Sequence, residues 1–156
     1  MLRAYKYRLY PTDGQAELIN KHIGSCRFVY NLALEVKNYA YATQRKNLSC
    51  FDLISQLPGL KQECPWLKEV DSQALQQAVI NLDKSFTQFF KGHASFPKFK
   101  NKYKTRSFRN PHGKEVEIKD GKLHQPKFRK GIKIIIDRPH NGEIKSTTIS
   151  RTPAGR

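Results

Sequence analysis

The chain has 156 residues, of which 38% are hydrophobic and 11% aromatic. That is enough for one domain or two small ones with a modest core, and too apolar for disorder. Its 29 lysines and arginines against 13 acids leave a net charge of +16, which favours a polyanionic partner, nucleic acid ahead of an anionic membrane surface. The membrane class is further disfavoured because the longest aliphatic run is only Ile134-Ile135-Ile136.

In chain order, "RAYKYRLYP" alternates Ala4, Lys6 and Arg8 with Tyr5, Tyr7 and Leu9, a strand pattern closed by Pro11. Thr12 followed by Gln15 has the form of a capping box, so a helix is expected to begin there. Ile19, Ile23, Cys26, Tyr30 and Ala33 continue it as one buried face, with Gly24 a point of bend or break and the pattern fading near Thr43 to Lys46. A short helix around Leu53 and Leu57, a Pro-Gly turn and a connection anchored by Trp66 are expected next. In "DSQALQQAVINLDKSFTQFFKG", Asp71 or Ser72 can cap a helix that Gly92 stops, with Leu75, Val79, Leu82, Phe86 and Phe89 or Phe90 as its stripe. These stripes read as core of a small helical bundle.

Past Gly92 the pattern turns to β. "KEVEIKDGKLHQPKF" reads as a hairpin turning at Asp120-Gly121, "GIKIIIDRP" places Ile132, Ile134 and Ile136 on one face, and "GEIKSTTISRTPAGR" gives a last strand. Short strands of this kind suit a small barrel or a sandwich. The last strand runs into a turn at Pro153-Ala154-Gly155 just where a returning strand is expected, so the polypeptide reads as the front part of a longer design.

The charge is unevenly placed: residues 1–90 carry a net +3 and residues 91–156 a net +13. At the boundary stands "SFPKFKNKYKTRSFRNPHGK", with four aromatic rings and seven lysines or arginines. Phe96, Phe99, Tyr103 and Phe108 interleave with Lys98, Lys100, Lys102, Lys104, Arg106 and Arg109, while Pro97 and Pro111 keep the segment extended. Cations neutralise phosphates and rings stack on bases, so the segment is expected to contact nucleic acid. The competing expectation is that the rings, Phe96 and Phe99 above all, plug into the helical bundle. Lys127, Arg129 and Lys130 extend the basic set.

No catalytic centre is legible. Cys26, Cys50 and Cys64 form no Cys-x-x-Cys pair, and His22, His93, His112, His124 and His140 are scattered. Reduced thiols and ordinary imidazoles are the plain reading, with a zinc site from distant residues as the alternative. Acids are too few to cluster for a metal-dependent nuclease. Glu115 and Glu117 share a strand face, whereas Asp137 and Glu143 lack companions.

The stretches "YKYRLYPTDGQAELI", "GSCRFVYNLAL", "WLKEVDSQALQQAVINLDKSFTQFF", "FPKFKNK" and "DGKLHQPKF" resemble, in order and over nearly the whole chain, the TnpB (OrfB) proteins of bacterial insertion sequences. These are RNA-guided DNA endonucleases. The resemblance implies an α+β fold in which a helical recognition domain, about 11–95, is inserted into a β-barrel of oligonucleotide-binding type. That barrel, the wedge domain, comprises about 1–10 plus 96–156 and is completed by the N-terminal strand. It also implies a guide RNA from the transposon end and double-stranded target DNA as partners, in the bacterial cytoplasm near the nucleoid. Ser72, Gln73 and Gln76, with Ser107, Phe108 and Arg109, would meet the DNA motif flanking the target, and glutamine pairs well with adenine edges. The family's nuclease domain, with its catalytic acids, divalent metal such as Mg2+ and structural zinc, corresponds to sequence downstream of residue 156. No enzyme activity and no cofactor are therefore expected of this chain by itself, and a second chain supplying the nuclease domain is a possible partner. The alternatives are a helix-turn-helix regulator using Cys26 to Ala42 as recognition helix, and a stand-alone RNA binder of ribosomal type. The first is disfavoured because that helix offers only Arg27 and Lys37.

Overall fold

The computed structural model describes residues 2–140 and 142–152. The Pro153-Ala154-Gly155 turn expected at the end lies outside the described residues.

The first strand, β1 (Arg8–Tyr10), is short and leads directly into helix α1 (Asp13–Gln44). The Thr12 hydroxyl accepts from the Gln15 backbone N–H at 3.2 Å, and the Gln15 side chain accepts from Thr12 N–H at 3.0 Å. This is the reciprocal cap read from the sequence. The helix runs unbroken through Gly24 and ends at Arg45, which adopts the left-handed conformation at φ 51°. Ile19, Ile23, Cys26, Tyr30 and Ala33 are all buried along it. Because α1 is continuous, Cys26 to Ala42 is no separate recognition helix, and its buried side chains face the core.

Helices α2 (Cys50–Ser55) and α3 (Leu57–Glu63) carry the chain back. Pro58 and Gly59 do not form the expected turn. They open α3, where proline needs no N–H partner. The connection after α3 is anchored by fully buried Leu67, while Trp66 lies at the surface with its edge against Phe28. Helix α4 (Ser72–Phe90) is capped by Asp71, whose carboxylate accepts from Gln73 N–H at 3.0 Å. Ala74, Leu75, Ala78, Val79, Leu82 and Phe86 are its buried face. Helices α1 and α4 run side by side in the same sense: Cys26 Sγ donates to the Ala74 carbonyl, and further along the Lys37 ammonium sits over the Phe86 ring.

The remaining strands are β2 (Ser107–Asn110), β3 (Glu117–Lys119), β4 (Lys122–Gln125), β5 (Phe128–Ile135) and β6 (Thr147–Ser150). Strands β3 and β4 form the expected hairpin, with Asp120 at φ 54° and Gly121 at φ 70°. These are the two left-handed positions of a tight type I′ turn. Ile132 and Ile134 are buried, but Ile136 lies past the end of β5 and is exposed.

The expected barrel is not formed. One sheet has the order β1-β5-β4-β3 and a separate two-stranded sheet pairs β2 with β6. The N-terminal strand does join the C-terminal part, antiparallel to β5, with Leu9 opposite Ile134. Closure fails because β1 and β3, each three residues long, pair only with β5 and β4 respectively. Strand β2, which a barrel would need beside them, packs instead on α1 and α4. The result is a helical bundle with two antiparallel sheets sharing one hydrophobic core, from Ile19 and Leu82 through Phe108 to Ile132 and Ile149.

Candidate nucleic-acid interface

Residues 96–106 contain no regular element, yet they are held in place. Pro97 is buried. The Asn31 side chain clamps the backbone of Lys100 twice, accepting from its N–H at 2.7 Å and donating to its carbonyl at 2.9 Å. The Asn101 carbonyl oxygen of the side chain then receives the N–H groups of Tyr103 and Lys104, both at 3.0 Å, which fixes a turn. Arg106 donates from Nε to the Tyr103 carbonyl at 2.8 Å. The outcome is a stiff surface ridge whose cations point away from the bundle in succession.

Among the described residues the ion pairs are Lys21 with Glu17 and Glu69, and Lys145 with Glu143. None of Lys98, Lys100, Lys102 or Lys104 belongs to them. The rings divide by depth. Tyr103 is 70% exposed and Phe99 59%, so both offer open faces. Phe96 lies edge-on against Phe86 and Phe89 with half its surface covered, part plug and part platform. Phe108 is only 4% exposed. Its ring packs on His22 at 4.6 Å, because β2 turns that side chain into the core. The surface position expected for Phe108 is therefore corrected: it supports the interface from beneath and has no free face for a base.

Lys100 is exposed as a residue, but its ammonium folds back to 4.1 Å from the Tyr30 ring centre. Burial of that group lowers its pKa. It borders a cleft between α1, α4 and β2 lined by Arg27, Gln77, Asn81, Ser107 and Arg109. Gln77 donates to Asn81 at 2.8 Å, and Arg109 to the Ser146 hydroxyl at 3.4 Å. The cleft thus presents amide and guanidinium groups together, the functional groups that pair with base edges. Buried Cys26 forms its floor as an inert thiol, with burial raising its pKa to about 12.

The start of α4 borders a second depression, lined by Ser72, Gln73, Lys61, Lys68, Lys127 and the cap Asp71. Gln73 accepts from or donates to His112 Nε2 at 2.9 Å, tying the helix start to the loop after β2. Beneath it His22 is fully buried: Nδ1 meets the Leu18 carbonyl at 2.9 Å and Nε2 accepts from Asp71 N–H at 3.0 Å. That pattern needs a neutral ring with its proton on Nδ1. Burial lowers the His22 pKa accordingly, and Lys127 nearby adds to the effect. Burial likewise raises the Asp71 pKa, opposed by the hydrogen bond from Gln73, and Asp71 Oδ2 has no partner.

The structure thus brings Ser107 and Arg109 together with Lys100, and separately gathers Ser72, Gln73 and Lys127. Gln76 is half-buried and lines neither depression, while Arg129 and Lys130 lie exposed on β5. Sequence reasoning missed Arg27, Gln77 and Asn81. The available signal was Gln77 itself, a polar residue within the buried face of α4, followed one helical turn later by Asn81.

A helical body edged by a rigid ridge of unpaired cations, with amide-lined depressions beside it, has the features of a protein that handles polyanions. A family model described as a helix-turn-helix domain, that of OrfB, matches residues 1–46. In this chain the matched region is one strand and one continuous helix. A protein of Salmonella dublin named virulence protein VsdF is 43% identical over 114 residues, which is 66% of this chain and 96% of that protein. Two proteins named as RNA-guided DNA endonucleases are also similar. That of Streptomyces pristinaespiralis is 34% identical over 99% of this chain and 39% of its own length. InsQ of Escherichia coli K12 is 31% identical over 97% of this chain and 38% of its own length. The chain belongs to the TnpB (OrfB) family, and it spans about two-fifths of the length of these two endonuclease relatives. Among the described residues, no three His, Cys, Asp or Glu side chains gather as a metal site, and no helix is long and apolar enough to cross a membrane.

Proposed function

We propose that this chain is the nucleic-acid-binding portion of a TnpB-like RNA-guided DNA endonuclease, holding a guide RNA and gripping the DNA motif beside the target. The observation that carries this reading is the ridge 96–106, whose successive lysines stand outside every ion pair while Asn31 and Asn101 lock its backbone. A solvated charge run needs no such fixation, whereas prepaid order is what a binding loop gains from. The ridge and Arg129 and Lys130 contact backbone phosphates, with Phe99 and Tyr103 stacking on unpaired bases. Ser107 and Arg109, supported by Gln77 and Asn81, and the α4 start with Ser72, Gln73 and Gln76 supply the polar contacts to duplex DNA. The role of the chain is binding; cleavage belongs to the portion of the relatives for which this chain has no counterpart.

The test is titration of the purified chain with RNA from the end of its own element and with an unrelated RNA of equal length, across a salt series. Tighter binding of the first that persists at moderate salt is expected. Equal and steeply salt-sensitive binding of both would reduce the reading to net charge. For the DNA arm, Arg109→Ala and Gln76→Ala should weaken discrimination among flanking motifs while leaving RNA affinity nearly intact. Equal loss for every DNA sequence would remove base reading from those positions.

A further inference from the structure

The four-stranded sheet turns Leu9, Leu123, Ile132 and Ile134 toward the core. What its other face carries follows from the register. Tyr10 is directly opposite Lys133, Lys133 opposite Lys122, and Lys122 opposite Lys119. Residues paired this way share one face, so a single row crosses all four strands: one tyrosine and three lysines, all exposed. Neighbouring strands are about 4.8 Å apart, so the three ammonium groups fall along a line of roughly 10 Å. Like charges set directly opposite one another destabilise a sheet. None of the three is among the ion pairs of the described residues. The acids nearest in the fold are Glu117, opposite His124 in the next row, and Asp120 in the hairpin turn. At the β1 edge the Arg8 guanidinium and the Lys133 ammonium both lie over the Tyr10 ring, at 5.5 Å and 5.9 Å.

We infer that this outer sheet face is a second nucleic-acid contact, separate from the ridge and the cleft, which tracks the phosphates of a single strand along Lys119, Lys122 and Lys133 toward Tyr10. A repulsive row is what a polyanion relieves, since each phosphate neutralises one lysine and releases its counterions. A single strand fits where a duplex does not. The row is short, it crosses a twisted sheet, and it ends on a ring that a base can cover. The inference rests on the nucleic-acid reading above and adds a surface to it. Its ligand chemistry, a phosphodiester strand, is common to RNA and DNA.

The experiment measures binding of the full chain to labelled oligouridylate, to the matching deoxy strand and to a DNA duplex over a salt series. The variants are the Lys119→Gln, Lys122→Gln, Lys133→Gln triple and a charge-matched control, Lys46→Gln, Lys84→Gln, Lys91→Gln. On the single strands the sheet triple should flatten the plot of log affinity against log salt by about 0.7 per contact, roughly two units in all. Tyr10→Ala should weaken single-strand binding with no change of that slope. Greater loss on oligouridylate assigns the face to RNA, and greater loss on the deoxy strand assigns it to DNA. An unchanged slope, an equal change in the control triple, or a loss confined to the duplex would overturn the inference. Melting of the unbound triple should be unchanged or raised, because repulsion across the strands is removed, and this keeps a loss of binding from being a loss of fold. If the ridge lysines prove necessary while the sheet triple is neutral, only this inference fails. If both sets are neutral, the nucleic-acid reading itself fails.

Discussion

Helix α4 and the ridge that follows it lie next to one another in sequence and are held by different forces. Helix α4 buries six apolar side chains in one stripe, and its position follows from removing them from water. The ridge buries Pro97 and half of Phe96, and its shape depends on the side chains of Asn31 and Asn101. Apolar burial is non-directional and tolerates sliding, whereas two clamps on one peptide group fix it within hydrogen-bond geometry. The bundle therefore provides stability and the ridge provides placed charge, and the two should be separable by mutation.

The largest effect should come from the bundle. Leu82→Ala, at a fully buried position, should cost about 2–5 kcal/mol in denaturant melts. A loss below about 1 kcal/mol would mean the bundle is loosely packed and the contrast with the ridge is false. The ridge should behave in the opposite way. Replacing Lys98, Lys100, Lys102 and Lys104 together by glutamine should leave the melt nearly unchanged, since only the Lys100 contact with Tyr30 is lost, a matter of about 1 kcal/mol. The slope of log affinity for duplex DNA against log salt should fall by about 0.9 for each phosphate contact removed. A melt that drops as far as that of Leu82→Ala would show the ridge to be part of the core.

A smaller effect should appear where the two regions meet, at His22. Its pKa in the folded chain lies below the ordinary 6.5 because burial opposes the charged form. Below 6.5 the unfolded chain takes up a proton that the folded ring refuses. The stability that His22 contributes is thus fully present above 6.5 and is lost as pH falls toward the lowered folded value. His22→Gln should be less stable at about pH 7.5 and should flatten the decline between that and about pH 5.5. An unchanged slope would place the titration elsewhere. The smallest effect concerns Asp71, whose raised pKa marks a charge held at some cost above its folded value and relieved as pH falls through it. Asp71→Asn keeps the Oδ1 acceptor for Gln73 while removing the charge from the unpartnered Oδ2 side. It should be neutral or stabilising by up to about 1 kcal/mol at neutral pH, and clear destabilisation would mean that Oδ2 finds a partner in solution.

Local chemistry was fully readable. The Thr12–Gln15 capping box, the Ile19 to Ala33 stripe, the Asp71 cap and the Asp120-Gly121 turn each depend on residues within a few positions of one another. The Pro-Gly pair was misread because proline serves equally in a turn and in the first turn of a helix, and only the packing of Leu57 and Leu67 decides between them. Phe108 looked like its neighbours Phe99 and Tyr103 until β2 paired with β6, which turned its ring toward His22.

By itself the sequence determined the helices, the hairpin, the uneven charge and the family, because caps, periodicity and composition act over short distances or over the whole chain at once. Tertiary structure alone decided that the sheets stay open, that Arg27, Gln77 and Asn81 meet Arg109 in one cleft, and that Lys119, Lys122 and Lys133 line up with Tyr10. Each of these depends on register between segments far apart in the chain, and a one-residue slip in a strand exchanges its buried face for its exposed one.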